Sequence, residues 1–376
     1  MKITFVLPTL SLAGGIRSTS ILAERMVKRG HEVFVVSIPK RRPNLRQQMR
    51  SLRRGKGWIS VTKNNPSHFD NINVPHNVIN RFRPVINADV PDADVVIATW
   101  WETAEWVANL SVLKGAKVYF IRGYESLFEY LPKEKVEATY SLPMHKTTTS
   151  KRLVDWLQSY GDSNISLVPN SVDTEQFYAP LRGKQATPTV GMMYSTVNWK
   201  GCDISLKAFS LAAQNIPNLR FVAFGTQHPS SNLPLPPSTE YVCQPPQNTI
   251  KDIYAKCDAW LFGSRSQEGF GLPILEAMAC RTPVIGTPAG AAPELLADGA
   301  GILVKPEAPD EMARAIERVC RFSDQEWRAM LDIAYAKATD YTWDDATELF
   351  ETALYTAIER QQRGDLSGSD RQGEKR

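Results

Sequence analysis

The chain has 376 residues, of which 43% are hydrophobic, and a net charge of +4 at pH 7. This length is too great for one ordinary domain and comfortable for two, and the near-balance of charge excludes a general polyanion binder. No apolar run approaches the ~18 residues that span a bilayer, and the five scattered cysteines (Cys202, Cys243, Cys257, Cys280, Cys320), with no C-x-x-C pair, fit buried thiols in a reducing compartment better than disulfides or a zinc site.

In chain order, Lys2–Leu7 predicts a buried strand, Pro8–Gly15 a loop, and Ile16–Arg29 a helix stopped by Gly30. Strands follow at Glu32–Val36, Asp94–Ala98, Lys117–Ile121 and Ile165–Pro169. Short apolar runs alternating with helical segments predict a doubly wound parallel sheet. The polar stretch Pro180–Pro188 is the expected linker. The theme then repeats. Strands are expected at Thr189–Met193, Leu219–Phe224, Ala259–Phe262, Pro283–Gly286 and Gly301–Val304, with helices from about Asp203, over Asp310–Arg321 and over Asp324–Thr339. Trp343–Arg360 reads as a long last helix, and the polar remainder from 362 to 376 as a disordered tail. The domains expected are therefore 1–180 and 188–340.

The most informative stretch is Ser264–Ala279, strand, glycine-rich turn and helix. Pro273 suits a first helical position. A helix start after Gly269-Phe270-Gly271-Leu272 presents unpaired N–H groups and a positive dipole end, an anion site. Glu268 before the turn and Glu276 within the helix are placed to accept hydrogen bonds from hydroxyls. Gly14-Gly15 after the first strand also frees a helix start for close approach to a ligand, and Arg17 follows. Lys200, in a strand-to-helix loop, supplies a point charge suited to a diphosphate. Trp100-Trp101-Glu102 and Arg122 follow first-domain strands at the same end, and an indole beside a carboxylate suits a sugar face.

Glu268 to Glu276, with Pro283–Pro288 and Gly290–Glu294 after it, resembles the E-x7-E region of retaining nucleotide-sugar glycosyltransferases of family 4. The resemblance implies the GT-B fold, two Rossmann-like domains facing a cleft, with the last helix crossing back onto the first. It implies transfer of a sugar from a nucleoside-diphosphate sugar to a hydroxyl acceptor, a glycan or a lipid-linked molecule, in cell-envelope or extracellular polysaccharide or glycoconjugate assembly. Glu276 would hold the ribose, and the 269–272 amides with Lys200 the diphosphate. Glu268 would hold the donor sugar, and Gly14 and Gly15 would line the cleft near it. Trp100, Trp101 and Arg122 would lie on the acceptor side. Pro169–Asp173 with Phe177 resembles a structural segment of the same family.

Two departures stand out. Tyr194 occupies the place of an expected arginine, and Arg122 lies near the place of a histidine. They keep open an alternative, a catalytically silent nucleotide-sugar-binding partner or regulator. A dehydrogenase is the weaker rival, because G-x-G-x-x-G is missing after the first strand. No carboxylates or histidines are spaced as metal ligands, so neither metal nor cofactor is expected. His145 stands without a partner motif. Lys40 to Lys56 holds eight Lys/Arg and no acid, which fits a solvated loop, or else a contact with anionic lipid headgroups or a phosphorylated acceptor. Without interleaved aromatics it does not suit nucleic acid. The strand at the very start, without a signal-peptide pattern, gives the expectation of a cytoplasmic protein, peripheral at the inner face of a membrane if the basic segment binds there.

Overall fold

The computed structural model describes residues 1–41, 43–55, 57–58, 66–70 and 72–366. The expected tail lies outside the described residues from 367 onward, as do Arg42 and Lys56 of the basic segment.

Strands β1 (Lys2–Leu7), β2 (Glu32–Ser37), β3 (His76–Val78), β4 (Val95–Ala98), β5 (Ala116–Ile121), β6 (His145–Thr148) and β7 (Ile165–Leu167) form one sheet in the order β3-β2-β1-β4-β5-β6-β7. Strands β8 (Thr189–Tyr194), β9 (Arg220–Gly225), β10 (Glu240–Cys243), β11 (Ala259–Phe262), β12 (Val284–Gly286) and β13 (Gly301–Leu303) form a second, in the order β10-β9-β8-β11-β12-β13. Every pairing is parallel, with β1 Phe5 opposite Val35 and Ile97, and β8 Gly191 opposite Trp260. The run Ile3–Leu7 is buried on both faces, as a central parallel strand must be.

The helices are α1 (Gly14–Lys28), α2 (Leu45–Arg53), α3 (Trp101–Ala108), α4 (Lys133–Tyr140), α5 (Lys151–Gln158) and α6 (Cys202–Asn215). They continue with α7 (Ile250–Ala255), α8 (Leu272–Ala279), α9 (Ala292–Leu295), α10 (Pro309–Arg321), α11 (Asp324–Asp340) and α12 (Trp343–Gln362). The order of connection reverses between β1 and β4, and again between β8 and β11. In open parallel sheets, ligands bind outside the carboxyl ends of the strands at such reversals. The connections after β4, β8 and β11 carry Trp100, Lys200 and Glu268, and Gly14 opens α1 directly after the loop that follows β1, so the topology gathers the predicted residues at these positions.

Helix α12 starts on a capping box, Thr342 with Asp345. Its Trp343, Ala346, Phe350, Ala353, Leu354 and Ala357 pack into the core of the first sheet with Ile3, Phe5 and Phe120. The Phe350 ring lies 6.0 Å from Phe5 and 5.4 Å from Phe120. Glu351 accepts from Arg29 Nε at 2.8 Å and hydrogen-bonds His31 Nε2 at 2.7 Å. The chain's last helix therefore completes the first unit. Tyr341 just before it donates to the Pro169 carbonyl at 3.2 Å, and Ser171 Oγ donates back to the Tyr341 carbonyl at 2.6 Å. The Pro169–Asp173 segment thus fastens the crossing. Among the described residues no helix is long and apolar enough to cross a membrane.

Candidate active site

The cleft is lined where the β11–α8 loop meets the loops of the first unit. Gly271 takes φ +99°, a left-handed conformation that turns the chain into α8, with Pro273 in the first turn. No side chain caps the α8 N-terminus, and none caps α1. The Gly269 carbonyl accepts from Ser150 Oγ at 3.1 Å and the Phe270 carbonyl from Ala291 N at 2.9 Å. With these acceptors engaged by the protein, the turn offers a ligand its N–H groups, which suit an anion. The Phe270 ring is buried in the second core, so this residue contributes backbone and not a ring.

Gly269 is obligatory for a packing reason. A Cβ there would collide with the Arg122 carbonyl and lie 2.9 Å from Gly123 Cα. The turn is pressed onto the β5–α4 connection of the first unit, and only glycine permits that approach. Gly14 and Gly15 form the first turn of α1 and not the end of a loop, because Ala13, extended at φ −67°, ψ 144°, is the N-cap. A Cβ on Gly15 would stand 3.0 Å from the Arg122 guanidinium, and one on Gly14 3.8 Å from Leu272 Cδ1. The α1 start, Arg122 and the α8 start therefore meet in one place.

Each glutamate has a cation. Lys200 Nζ lies 2.7 Å from Glu268 Oε2, which Ser264 Oγ also reaches at 3.3 Å. The ammonium also sits 4.1 Å from the centre of the Trp199 ring. Glu276 Oε1 accepts from Arg17 Nη1 across the cleft at 2.6 Å, and Oε2 from Tyr254 OH at 2.8 Å. Arg17 also donates to Gln176 Oε1 at 3.0 Å and stacks over Phe177 at 5.1 Å. Tyr254 and Gln176 carry no signal at the level of spacing, and Phe177, legible as part of a structural segment, gave no sign of its contact with Arg17. Both carboxylates are mostly buried, so each ion pair is held in a polar pocket poor in water.

Tyr194 supplies no charge. Its hydroxyl donates to the Leu233 carbonyl and accepts from Ser230 N, both at 2.8 Å, and so pins the proline-rich loop over 229–237. Arg265 is close in sequence to Glu268, but Asp203 and Glu307 hold it and raise its pKa. Arg17 is thus the second cation that the cleft brings to the α8 end.

On the opposing wall, Arg122 donates to Thr19 Oγ1 at 2.6 Å and to the Thr99 carbonyl at 3.1 Å, and burial pushes its pKa down to about 10. Trp100 is half-buried and stacks on Phe128. Trp101 is different: its side chain packs in the core with Val96, Ala104 and Tyr119, which removes its ring from any acceptor. The expectation for Trp101 fails because it is the first residue of α3, turned toward the sheet. His145 lies in β6, fully buried within the sheet, with Ser166 Oγ 2.9 Å from Nε2 and Arg360 Nη1 3.0 Å from Nδ1.

Glu125, missed from the sequence, is buried behind this wall. Its Oε2 accepts from Trp101 N at 2.8 Å and from Tyr119 OH at 3.3 Å. Burial, only partly opposed by the Trp101 N–H and Arg122, pushes its carboxyl up to about 8. An unfolded glutamate ionises near pH ~4.3. The folded protein therefore keeps a proton that the unfolded chain has lost, and stability falls as pH rises between about 5 and 8. Glu125→Gln keeps the acceptor oxygen and cannot titrate. Thermal melts are expected to show a smaller loss of Tm over that window in Glu125→Gln than in wild type; equal slopes would contradict this protonation.

Two facing parallel-sheet units with uncapped helix starts at a shared cleft make up the GT-B fold. Residues 13–176 match Glycosyltransferase Family 4, and residues 174–334 match Glycosyl transferases group 1. The chain belongs to glycosyltransferase family 4. A phosphatidylinositol N-acetylglucosaminyltransferase component of Arabidopsis thaliana is 26% identical over 229 residues, 56% of this chain and 51% of that one. A D-inositol 3-phosphate glycosyltransferase of Nocardiopsis dassonvillei is 28% identical over 205 residues, 47% of each chain. The chain thus aligns with about half the length of these curated relatives. The Anabaena protein HepE, solved with UDP-glucose, superposes with a TM-score of 0.69 at 18% identity, over 96% of this chain and all of that one (100%).

Proposed function

We propose that this chain transfers a sugar from a nucleoside-diphosphate sugar to a hydroxyl acceptor with retention at the anomeric carbon. One observation carries the reading: Lys200–Glu268 and Arg17–Glu276 flank the same uncapped helix start. The ribose hydroxyls would take Arg17's place on Glu276 Oε1, which frees the guanidinium beside the diphosphate. The diphosphate would lie on the 269–272 amides and Lys200. Glu268, released from Lys200, would bind hydroxyls of the donor sugar and face positive charge developing at its anomeric carbon. The acceptor oxygen bonds to that carbon as the bond to the β-phosphate oxygen breaks, and the acceptor proton leaves with the diphosphate. Fixed cations and amides aimed at a leaving group act strongly in a water-poor site, so the proposal assigns leaving-group charge to them and requires no metal. No cofactor beyond the donor enters it.

A glycan or lipid-linked acceptor is part of the reading, within cell-envelope or extracellular glycoconjugate assembly; the plant relative's name places its own acceptor in a lipid. Helix α2 supports a membrane-surface role. Leu45, Met49 and Leu52 share one face and are 78%, 52% and 44% exposed, with Arg46, Arg50, Arg53 and Arg54 alongside. Such a basic amphipathic helix lies in an anionic interface. With each cation worth about 1 kcal/mol there, Arg50→Gln with Arg53→Gln is expected to weaken cosedimentation with phosphatidylglycerol vesicles about thirtyfold. Binding equal to wild type would remove α2 from the reading.

A panel of nucleoside-diphosphate sugars in the presence of EDTA tests the activity, read by thermal shift and nucleotide release. One donor that stabilises the protein and is slowly hydrolysed is the expected result. Stabilisation without hydrolysis or transfer to any acceptor would favour a silent binder, the reading to which Tyr194 lends support. No response to any donor would overturn both.

A further inference from the structure

Four aromatic rings line the mouth of the cleft beside Lys200. From the first unit, Trp100 stacks on Phe128 at 6.2 Å and 24° between planes, and Phe128 stacks on Tyr130 at 5.6 Å and 11°. From the second unit, the Trp199 ring meets Phe128 at 5.7 Å, and the Lys200 ammonium lies 4.1 Å from its ring centre. The row therefore runs from the first unit across the cleft to the Lys200–Glu268 pair. It is not core. Tyr130 is 73% exposed, while Trp100, Phe128 and Trp199 are half-buried. Among the described residues, neither the Tyr130 hydroxyl nor the Trp199 indole N–H meets a hydrogen-bond partner. Carboxylates neighbour the rings along the chain, Glu102 in the first turn of α3 after Trp100 and the exposed Glu129 between Phe128 and Tyr130, and the row ends at the Glu268 carboxylate. Burial raises the pKa of Glu102, so this carboxyl stands in a partly dry setting.

Exposed rings in an offset row are costly in water and want an apolar face to cover them. The Glu268 carboxylate at the end of the row, and Glu129 next to Phe128 in the chain, want hydroxyl donors. One ligand chemistry supplies both on a single small body: a pyranose ring, with C–H bonds on its faces and hydroxyls at its rim. An acyclic polyol has no flat face, and a lipid chain has no hydroxyls for Glu268.

We infer that the Trp100–Phe128–Tyr130–Trp199 row is an acceptor subsite for a hexopyranose ring, laid on Tyr130 and Phe128 with a hydroxyl directed toward Glu268. The inference rests on the glycosyl-transfer reading and adds to it the substrate class: the acceptor carries a sugar ring next to the hydroxyl that receives the new one. Transfer forms the bond from that hydroxyl oxygen to the donor's anomeric carbon while the bond to the β-phosphate oxygen breaks, and the hydroxyl proton leaves with the diphosphate. Because the rings come from both units, the subsite is complete only with the cleft as closed as it stands here.

The test is saturation-transfer NMR on the full chain with a panel of methyl hexopyranosides, and with glycerol and ribitol as ring-free probes. Thermal shifts with a panel of nucleoside diphosphates are recorded on the same samples. At least one glycoside is expected to receive saturation on the C–H protons of one ring face, and glycerol and ribitol none. Tyr130→Ala should raise that glycoside's Kd about tenfold, Tyr130→Phe should leave it near wild type, and neither should alter the nucleotide shift. Saturation of no glycoside by a protein that still responds to nucleotide would overturn the subsite alone. So would an unchanged glycoside Kd in Tyr130→Ala. Glycoside saturation without any nucleotide shift would keep the subsite and remove the donor reading.

Discussion

Lys200→Ala is expected to lower turnover about a hundredfold with the donor found by panel screening. A single cation on a leaving group is worth ~3 kcal/mol in a water-poor site, and about 1.4 kcal/mol corresponds to each factor of ten. The cleft holds few substitutes. Tyr194 is uncharged and engaged with Ser230 and Leu233, and Arg265 is committed to Asp203 and Glu307. Arg17 comes from the opposite wall and must first leave Glu276. The substitution also strips Glu268 of its partner at 2.7 Å. Lys200→Arg retains the charge but presents a planar fork on a different stem, and an intermediate rate is expected. Steady-state kinetics decide the matter: near-normal turnover in Lys200→Ala would remove the lysine from the leaving-group site.

Gly269→Ala should be as damaging, for a reason of packing alone. The new Cβ would run into the Arg122 carbonyl, backbone against backbone, where no rotamer change gives relief. The turn must then back away from the first unit, taking Glu268 and the α8 start with it. A displacement of about 1 Å at a reacting centre can cost on the order of a hundredfold in rate. Gly123→Ala is the matched control, since its Cβ would lie 3.7 Å from the Gln267 carbonyl, an ordinary contact. Turnover in Gly269→Ala is expected to fall about a hundredfold, with Gly123→Ala close to wild type. Equal activity in the two would show that the turn need not press on Arg122.

The strands that the sequence predicted are those with continuous apolar runs, β1, β2, β4, β5, β8, β9, β11 and β12 among them. The strand β6 escaped because its residues are His145-Lys146-Thr147-Thr148, all buried yet polar. Lys146 tolerates burial through Asp162 at 3.0 Å, a pairing that periodicity does not reveal. The edge strands β3 and β10 were missed because they are short and largely exposed or half-exposed. Gly14-Gly15 read as a loop because glycine is a poor interior helix former; at the first turn of α1 that penalty is small and close approach is gained. At the site, the turn, the two glutamates and Lys200 were legible, since local spacing places them. Their partners were not. Arg17 reaches Glu276 from 259 positions away, and Phe128 meets Trp199 only because the two units face each other. Glu125 has no motif, and only its burial beneath Trp101 and Tyr119 marks it.

The measurement that bears most directly on the donor site compares two ligands in two proteins. The nucleoside diphosphate with the largest thermal shift and its 2′,3′-dideoxy analogue are titrated calorimetrically into wild type and Glu276→Ala. Hydrogen bonds to a charged group contribute about 1.5–3 kcal/mol, so wild type should prefer the ribose form by roughly tenfold to a hundredfold. Glu276→Ala should bind the two alike. The preference is a ratio within one protein, so a general loss of stability in the variant cannot imitate it. A ribose preference that survives in Glu276→Ala would place the ribose elsewhere and contradict the assignment of this cleft as the nucleotide-sugar site.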